Sequence, residues 1–171
     1  MTGRGTGAFL AAAFAASLAP LPTAAASEPA TFATRSLTPE TALKAAQAAL
    51  ARCRANGYQV AVAVVDRDGL TQVLLRDRYA GAHTLEVASD KAWSAASFRI
   101  DTAELERATR DGAPLAGLRH SPRVAAVAGG VVIAAAGSTL GAIGVSGAPG
   151  GDADAACAAA GVRAIADDLE F

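Results

Sequence analysis

The sequence predicts an α/β domain in which an antiparallel sheet of four or five strands carries packed helices. Two hairpin patterns, at residues 60–76 and 130–145, supply the sheet, because a short turn between β-rich runs can only join antiparallel neighbours. Alanine-rich stretches with helical spacing lie before, between and after them, so the order is helix, hairpin, helices, hairpin, helix. Layers of that kind bury the apolar side of each element against the next.

Taken in order, the chain opens with Arg4 and then an acid-free run of Ala, Leu and Phe over residues 8–19. Pro20 and Pro22 end that run, and Ala24, Ala25 and Ala26 supply the small residues a signal peptidase reads. Residues 1–26 are therefore expected to be a removable signal peptide, cut before Ser27. The apolar run is about a dozen residues, short of the roughly 20 a membrane span requires. The expected destination is the periplasm or the exterior, with no membrane span after cleavage. Residues 27–36 are small and polar and read as a flexible lead-in to a domain over 37–171, which has the commonest single-domain size.

Thr38, Pro39 and Glu40 are a helix start: a capping hydroxyl, a proline suited to the first turn, and an acid at the positive dipole end. Leu43, Ala46, Leu50 and Cys53 continue the helical face until Asn56 and Gly57 close it. Residues 60–65 are valine-rich strand chemistry, the turn Asp66-Arg67-Asp68-Gly69 follows, and residues 70–76 return. After a loop over 77–83, a helix over 84–98 presents Leu85, Ala88, Ala92, Ala95 and Ala96 on one face. A short helix over 101–109, a break at Asp111 to Pro114, the second hairpin and a last helix to about residue 169 complete the chain.

The whole chain has 15 basic and 16 acidic residues, a balance that argues against nucleic acid as a partner. Cys53 and Cys157 read as small buried side chains, and a disulfide is open to them only if their two helices are neighbours. The glycine-rich segment 141–151 admits two readings. It is either a close backbone approach to a ligand, with free amides for an anion, or a tight strand-to-helix turn capped by Asp152. No Gly-Lys-Ser or Gly-Lys-Thr follows it, so it is not a Walker loop. Ser146 stands in a partial nucleophile-elbow pattern, but no histidine lies beyond His120 to complete a hydrolase triad. Lys91 sits in an apolar helical face, where a snorkelling, solvated ammonium is the ordinary outcome. His83 and His120 fall in loops, without cysteine or carboxylate neighbours at ligand spacing. The i, i+3 acids Asp101/Glu104 and Asp167/Glu170 read as solvated helix faces.

The chain resembles the GlcG/HbpS-like haem-binding family from Leu37 to Leu169. The residues that carry the likeness are Val60 to Asp66 with Gly69, Ala88-Ser89-Asp90-Lys91-Ala92, Gly129 to Ile133, and Gly141 to Ala148 with Cys157 and Gly161. The resemblance implies a profilin-like α-β-α sandwich, a homo-oligomer and, for some members, haem. This chain departs from the family by having no histidine on the helix over 39–56, where Cys53 is the only soft ligand, and by having Ala80-Gly81-Ala82 and Trp93 at characteristic positions. The expected site therefore uses Tyr79 or His83 on the iron, with His120 a further candidate. Lys91 would meet a propionate, Trp93 would stack on the macrocycle, and Gly144 and Gly147 would allow close approach. A non-enzymatic binding role is the leading expectation. A small glycolate-like organic acid between Lys91 and the glycine-rich turn, or a structural, partner-binding oligomer, are the alternatives.

Overall fold

A computed structural model describes residues 1–3 and 29–169. The expected signal peptide thus lies, beyond its first three residues, outside the described residues. Residues Thr34–Phe171 form one unit and Met1–Ala33 another, whose described residues carry no helix or strand. No helix among the described residues is long and apolar enough to cross a membrane.

The larger unit follows the anticipated element order. It comprises α1 (Pro39–Ala55), β1 (Ala61–Asp66), β2 (Thr71–Arg76), α2 (His83–Phe98), α3 (Thr102–Ala108), β3 (Gly130–Ala135), β4 (Ser138–Ser146) and α4 (Gly151–Ala164). Short 3-10 turns lie at Ala116–His120 and Ala166–Leu169. The four strands form one antiparallel sheet in the order β2-β1-β4-β3, with β1 and β4 central. The Thr38 hydroxyl accepts the Thr41 amide at 3.3 Å, so α1 begins as its sequence requires.

Side-chain alternation divides the sheet into two unlike faces. Val62, Val64, Ile143 and Val145 point to one side, where α1 and α4 bring their alanines, Leu50 and Cys157, joined by Ile165 just past the end of α4. Ala61, Ala63, Val65 and Ala142 point to the other, beneath Ala88, Ala92, Ala95 and Ala96 of α2. The result is a three-layer sandwich, with α2 covering the face built of small residues. Ala63 pairs with Gly144, and Gly144 with Gly130, so one row across three strands carries almost no side chain. Into that trough α2 sinks. A Cβ on Gly144 would lie 2.1 Å from the Ala88 carbonyl oxygen, and one on Gly130 would lie 2.4 Å from that of Lys91. Gly144 therefore serves helix packing and is closed to a ligand.

On the opposite face α1 and α4 lie side by side, with Gly161 against the Ala45 carbonyl and Ala49. Cys53 and Cys157 are joined as a disulfide with Cα atoms 5.5 Å apart, and both are fully buried. Of the two cysteine readings, the bonded one holds, because the small residues of both helices make them neighbours. His83 also differs from expectation, since it begins α2 rather than ending a loop. His120 ends a 3-10 turn.

Candidate functional site

One cavity gathers several of the residues singled out from sequence. Tyr79, His83 and Gly147 line a space of about 370 Å³ together with Tyr58, Gln59 and Thr84. Four segments converge there: the exit from α1, the entry to β1, the loop before α2, and the turn after β4. Tyr79 is exposed at 80%, and the His83 ring lies over Gly81, where a Cβ would stand 2.7 Å from it. Gly147 has φ of 128°, and a Cβ there would be 2.6 Å from the Gln59 carbonyl. Glycine is thus required at Gly147 by the backbone itself. The Gln59 Oε1 is buried without a hydrogen-bond partner. An orphaned acceptor at a cavity wall is a polar group awaiting a donor.

The loop bearing Tyr79 is held by a residue that sequence reading passed over. Asp77 is 1% exposed and accepts from Arg54 Nε at 2.7 Å, Arg54 Nη2 at 3.0 Å and the Arg78 amide at 2.8 Å. The Arg54 guanidinium, and then the Arg78 amide, hold its carboxyl below the ordinary carboxylate range against the opposing effect of burial. Through its own amide Asp77 also bonds the Val60 carbonyl, and its carbonyl accepts the Ala80 amide. The fork geometry ties α1 to the loop. An aspartate followed by a turn, with an arginine one helix earlier, was the available signal.

The remaining expected residues lie elsewhere. Lys91 is 3% exposed and donates to Asp154 Oδ2 at 2.8 Å and to the Val145 carbonyl at 3.1 Å. Neither a snorkelling ammonium nor one free for a propionate or small acid matches this buried ion pair. The other oxygen of Asp154 accepts the Ala148 amide at 3.0 Å, so Asp154 orders the turn after β4. Asp152 makes no capping bond, Gly150 occupies the cap position of α4, and Asp152 is exposed. Burial raises the Asp154 carboxyl above its ordinary value, although the Lys91 hydrogen bond and charge pull the other way. Trp93 packs against Gly69 of the β1–β2 turn, with the Arg123 guanidinium 4.8 Å over its ring. His120 is exposed and lines no part of the Tyr79 cavity. Among the described residues no group of three or more His, Cys, Asp or Glu side chains could hold a metal ion.

A family model described as haem degrading protein HbpS-like matches residues 37–163. HbpS of Streptomyces reticuli, in the crystal structure of a double mutant, is similar at 39% identity and a TM-score of 0.73, covering 85% of this chain and 97% of that one. The Klebsiella pneumoniae protein ORFY is similar at 26% identity and a TM-score of 0.79, covering 82% and 98%. A PduOC:heme complex is similar at 29% identity and a TM-score of 0.72, covering 76% and 95%. An uncharacterized 15.0 kDa protein of Citrobacter freundii, from a dhaT-dhaS intergenic region, is 33% identical over 108 residues, 62% of this chain and 76% of its own length.

Two outcomes follow from these charge pairs. Lys91→Met, which strands a buried carboxylate, is expected to lower unfolding stability by about 3–5 kcal/mol, and Lys91→Met with Asp154→Leu to recover most of that loss. Urea unfolding of the three proteins measures both. The depressed Asp77 carboxyl stabilises the fold fully above the ordinary aspartate value of about 3.9, and that contribution is lost as pH falls through its lower folded value. Acid unfolding should accordingly depend less steeply on pH below about 4 in Asp77→Asn than in the parent.

Proposed function

The chain belongs to the HbpS-like family, and from that membership we propose that it binds haem at the cavity formed by Tyr79, His83, Gly147 and Gln59. The observation that carries this reading is the convergence of a phenol and an imidazole on one opening. Both groups are known axial ligands of haem iron. Gln59 contributes an unpartnered amide oxygen. The donor set thus fits the group. Bound haem would supply an iron centre whose redox and ligand chemistry is its own.

The protein's part is positioning. The Arg54–Asp77 fork fixes the loop from which Tyr79 projects, and Asp154 fixes the turn that carries Gly147. His83 stands in the first turn of α2, so its backbone is set by the helix that the small-residue face of the sheet holds down. Helix α1 has no histidine, and in this reading Tyr79 and His83 supply the iron ligands.

We further propose export to the periplasm or exterior and assembly as a homo-oligomer. Export is supported by the apolar amino-terminal run and by the Cys53–Cys157 disulfide, which an oxidising compartment would preserve. Assembly is supported by Leu74 and Val127, both exposed at 40% or more, which are candidates for burial by a second copy.

Titration of the purified protein with haemin, followed by gel filtration, tests the binding reading. A co-eluting Soret band is expected, with His83→Ala or Tyr79→Phe changing its position and weakening binding by about tenfold or more. Absorbance that does not co-elute, or a band identical in parent and both variants, would count against the site.

A further inference from the structure

A second cavity lies at the opposite end of the central strands and shares no residue with the first. It encloses about 220 Å³ between Arg67, Arg99, Gly137, Ser138 and Thr139. Three parts of the chain meet there: the β1–β2 turn, the exit from α2, and the β3–β4 turn. We propose that this cavity is a binding site for a small, doubly charged oxyanion, either a phosphate group or a dicarboxylate.

The charge balance is the first argument. Arg67 and Arg99, like several other arginines, make no ion pair among the described residues, and no carboxylate residue lines the cavity that they share. Two of the nearby acids, Asp66 and Asp101, are engaged with backbone amides, whereas the exposed Asp68 carboxylate beside Arg67 is not among the residues lining the cavity. Asp66 Oδ1 accepts from the Asp68 and Leu70 amides, both at 2.9 Å, and Asp101 Oδ1 accepts from that of Val132 at 2.9 Å. Two arginines lining one small cavity concentrate positive charge there, and a dianion bound between them would be attracted by both. Guanidinium also matches the geometry of phosphate and carboxylate, offering paired donors to paired oxygens.

The backbone supplies the second argument. Arg99 ends α2 with φ of 57°, and Ala136 precedes Gly137 in the hairpin turn with φ of 48°. Both adopt the left-handed region that residues with a Cβ disfavour. A glycine would relieve either position, yet an arginine stands at the first and lines the cavity. Ser138 and Thr139, next in the chain, add two hydroxyls able to donate to an anion. This arrangement is independent of the haem reading.

Calorimetric titration of the full chain with inorganic phosphate, and separately with malonate, tests the proposal. Saturable binding of one equivalent is expected, with amide shifts at Gly137, Ser138 and Thr139. Arg67→Gln and Arg99→Gln should each weaken it at least tenfold, and their combination should abolish it. Arg67→Lys should retain part of the affinity, and Arg163→Gln, at an exposed position outside the cavity, should bind as the parent does. Binding of phosphate alone identifies a phosphoryl ligand, and of malonate alone a dicarboxylate. Saturation by neither anion, or affinity unchanged in the doubly substituted protein whose melting temperature matches the parent, overturns the proposal.

Discussion

The buried pair of Lys91 and Asp154 is the constraint on which the arrangement of layers and site depends. Lys91 belongs to α2 on one face of the sheet, and Asp154 to α4 on the other. Their contact passes the end of β4, where Lys91 also takes the Val145 carbonyl. Two charges withdrawn from water are not in themselves a source of much stability. What they supply is registration: only one placement of α2 against α4 satisfies both. Because Asp154 also holds the Ala148 amide, that registration extends to the turn carrying Gly147 and hence to one wall of the Tyr79 cavity.

Such a contact is possible only because α2 sits so low. The glycines at 130 and 144 and the alanines at 61, 63 and 142 remove the side chains that would hold a helix off the sheet. Gly129, with φ of 128°, does the same for the ammonium, since a Cβ there would be 2.7 Å from Lys91 Nζ. The opposite face uses larger valines and isoleucines, and there the disulfide joins the two covering helices. Small residues on one face and large ones on the other thus assign each helix its layer. The two cavities lie at the ends of the sheet, where loops meet: one lined by Tyr79 and His83, the other by Arg67 and Arg99.

Much of this architecture was legible in the sequence. The valine run of β1, the turn at Asp66 to Gly69 and the alanine spacing of α2 each obey a local rule, and so the hairpins and helices stand where those rules put them. The candidate cavity was legible in part. Tyr79, His83 and Gly147 do share a cavity, because the loop before α2 and the turn after β4 lie at the same end of adjacent strands. The glycine block was ambiguous for a physical reason, since close approach by a helix and close approach by a ligand ask for the same residue. Lys91 could not be read correctly without its partner, which lies 63 positions away on another layer. The disulfide depended in the same way on which helices adjoin. The hold of Asp77 on its loop escaped notice because its bond to Arg54 spans a strand hairpin and is invisible to helical or strand periodicity.

The most direct test of this account is native-state hydrogen exchange at the Ala148 amide. That amide belongs to a loop, and loop amides ordinarily exchange rapidly. Held by a buried, charged Asp154, it should instead exchange at a rate close to that of the core amides of β4, and should lose that protection in Asp154→Ala while β4 stays protected. Rapid exchange at Ala148 in the parent protein would contradict the claim that the Lys91–Asp154 pair orders the wall of the site.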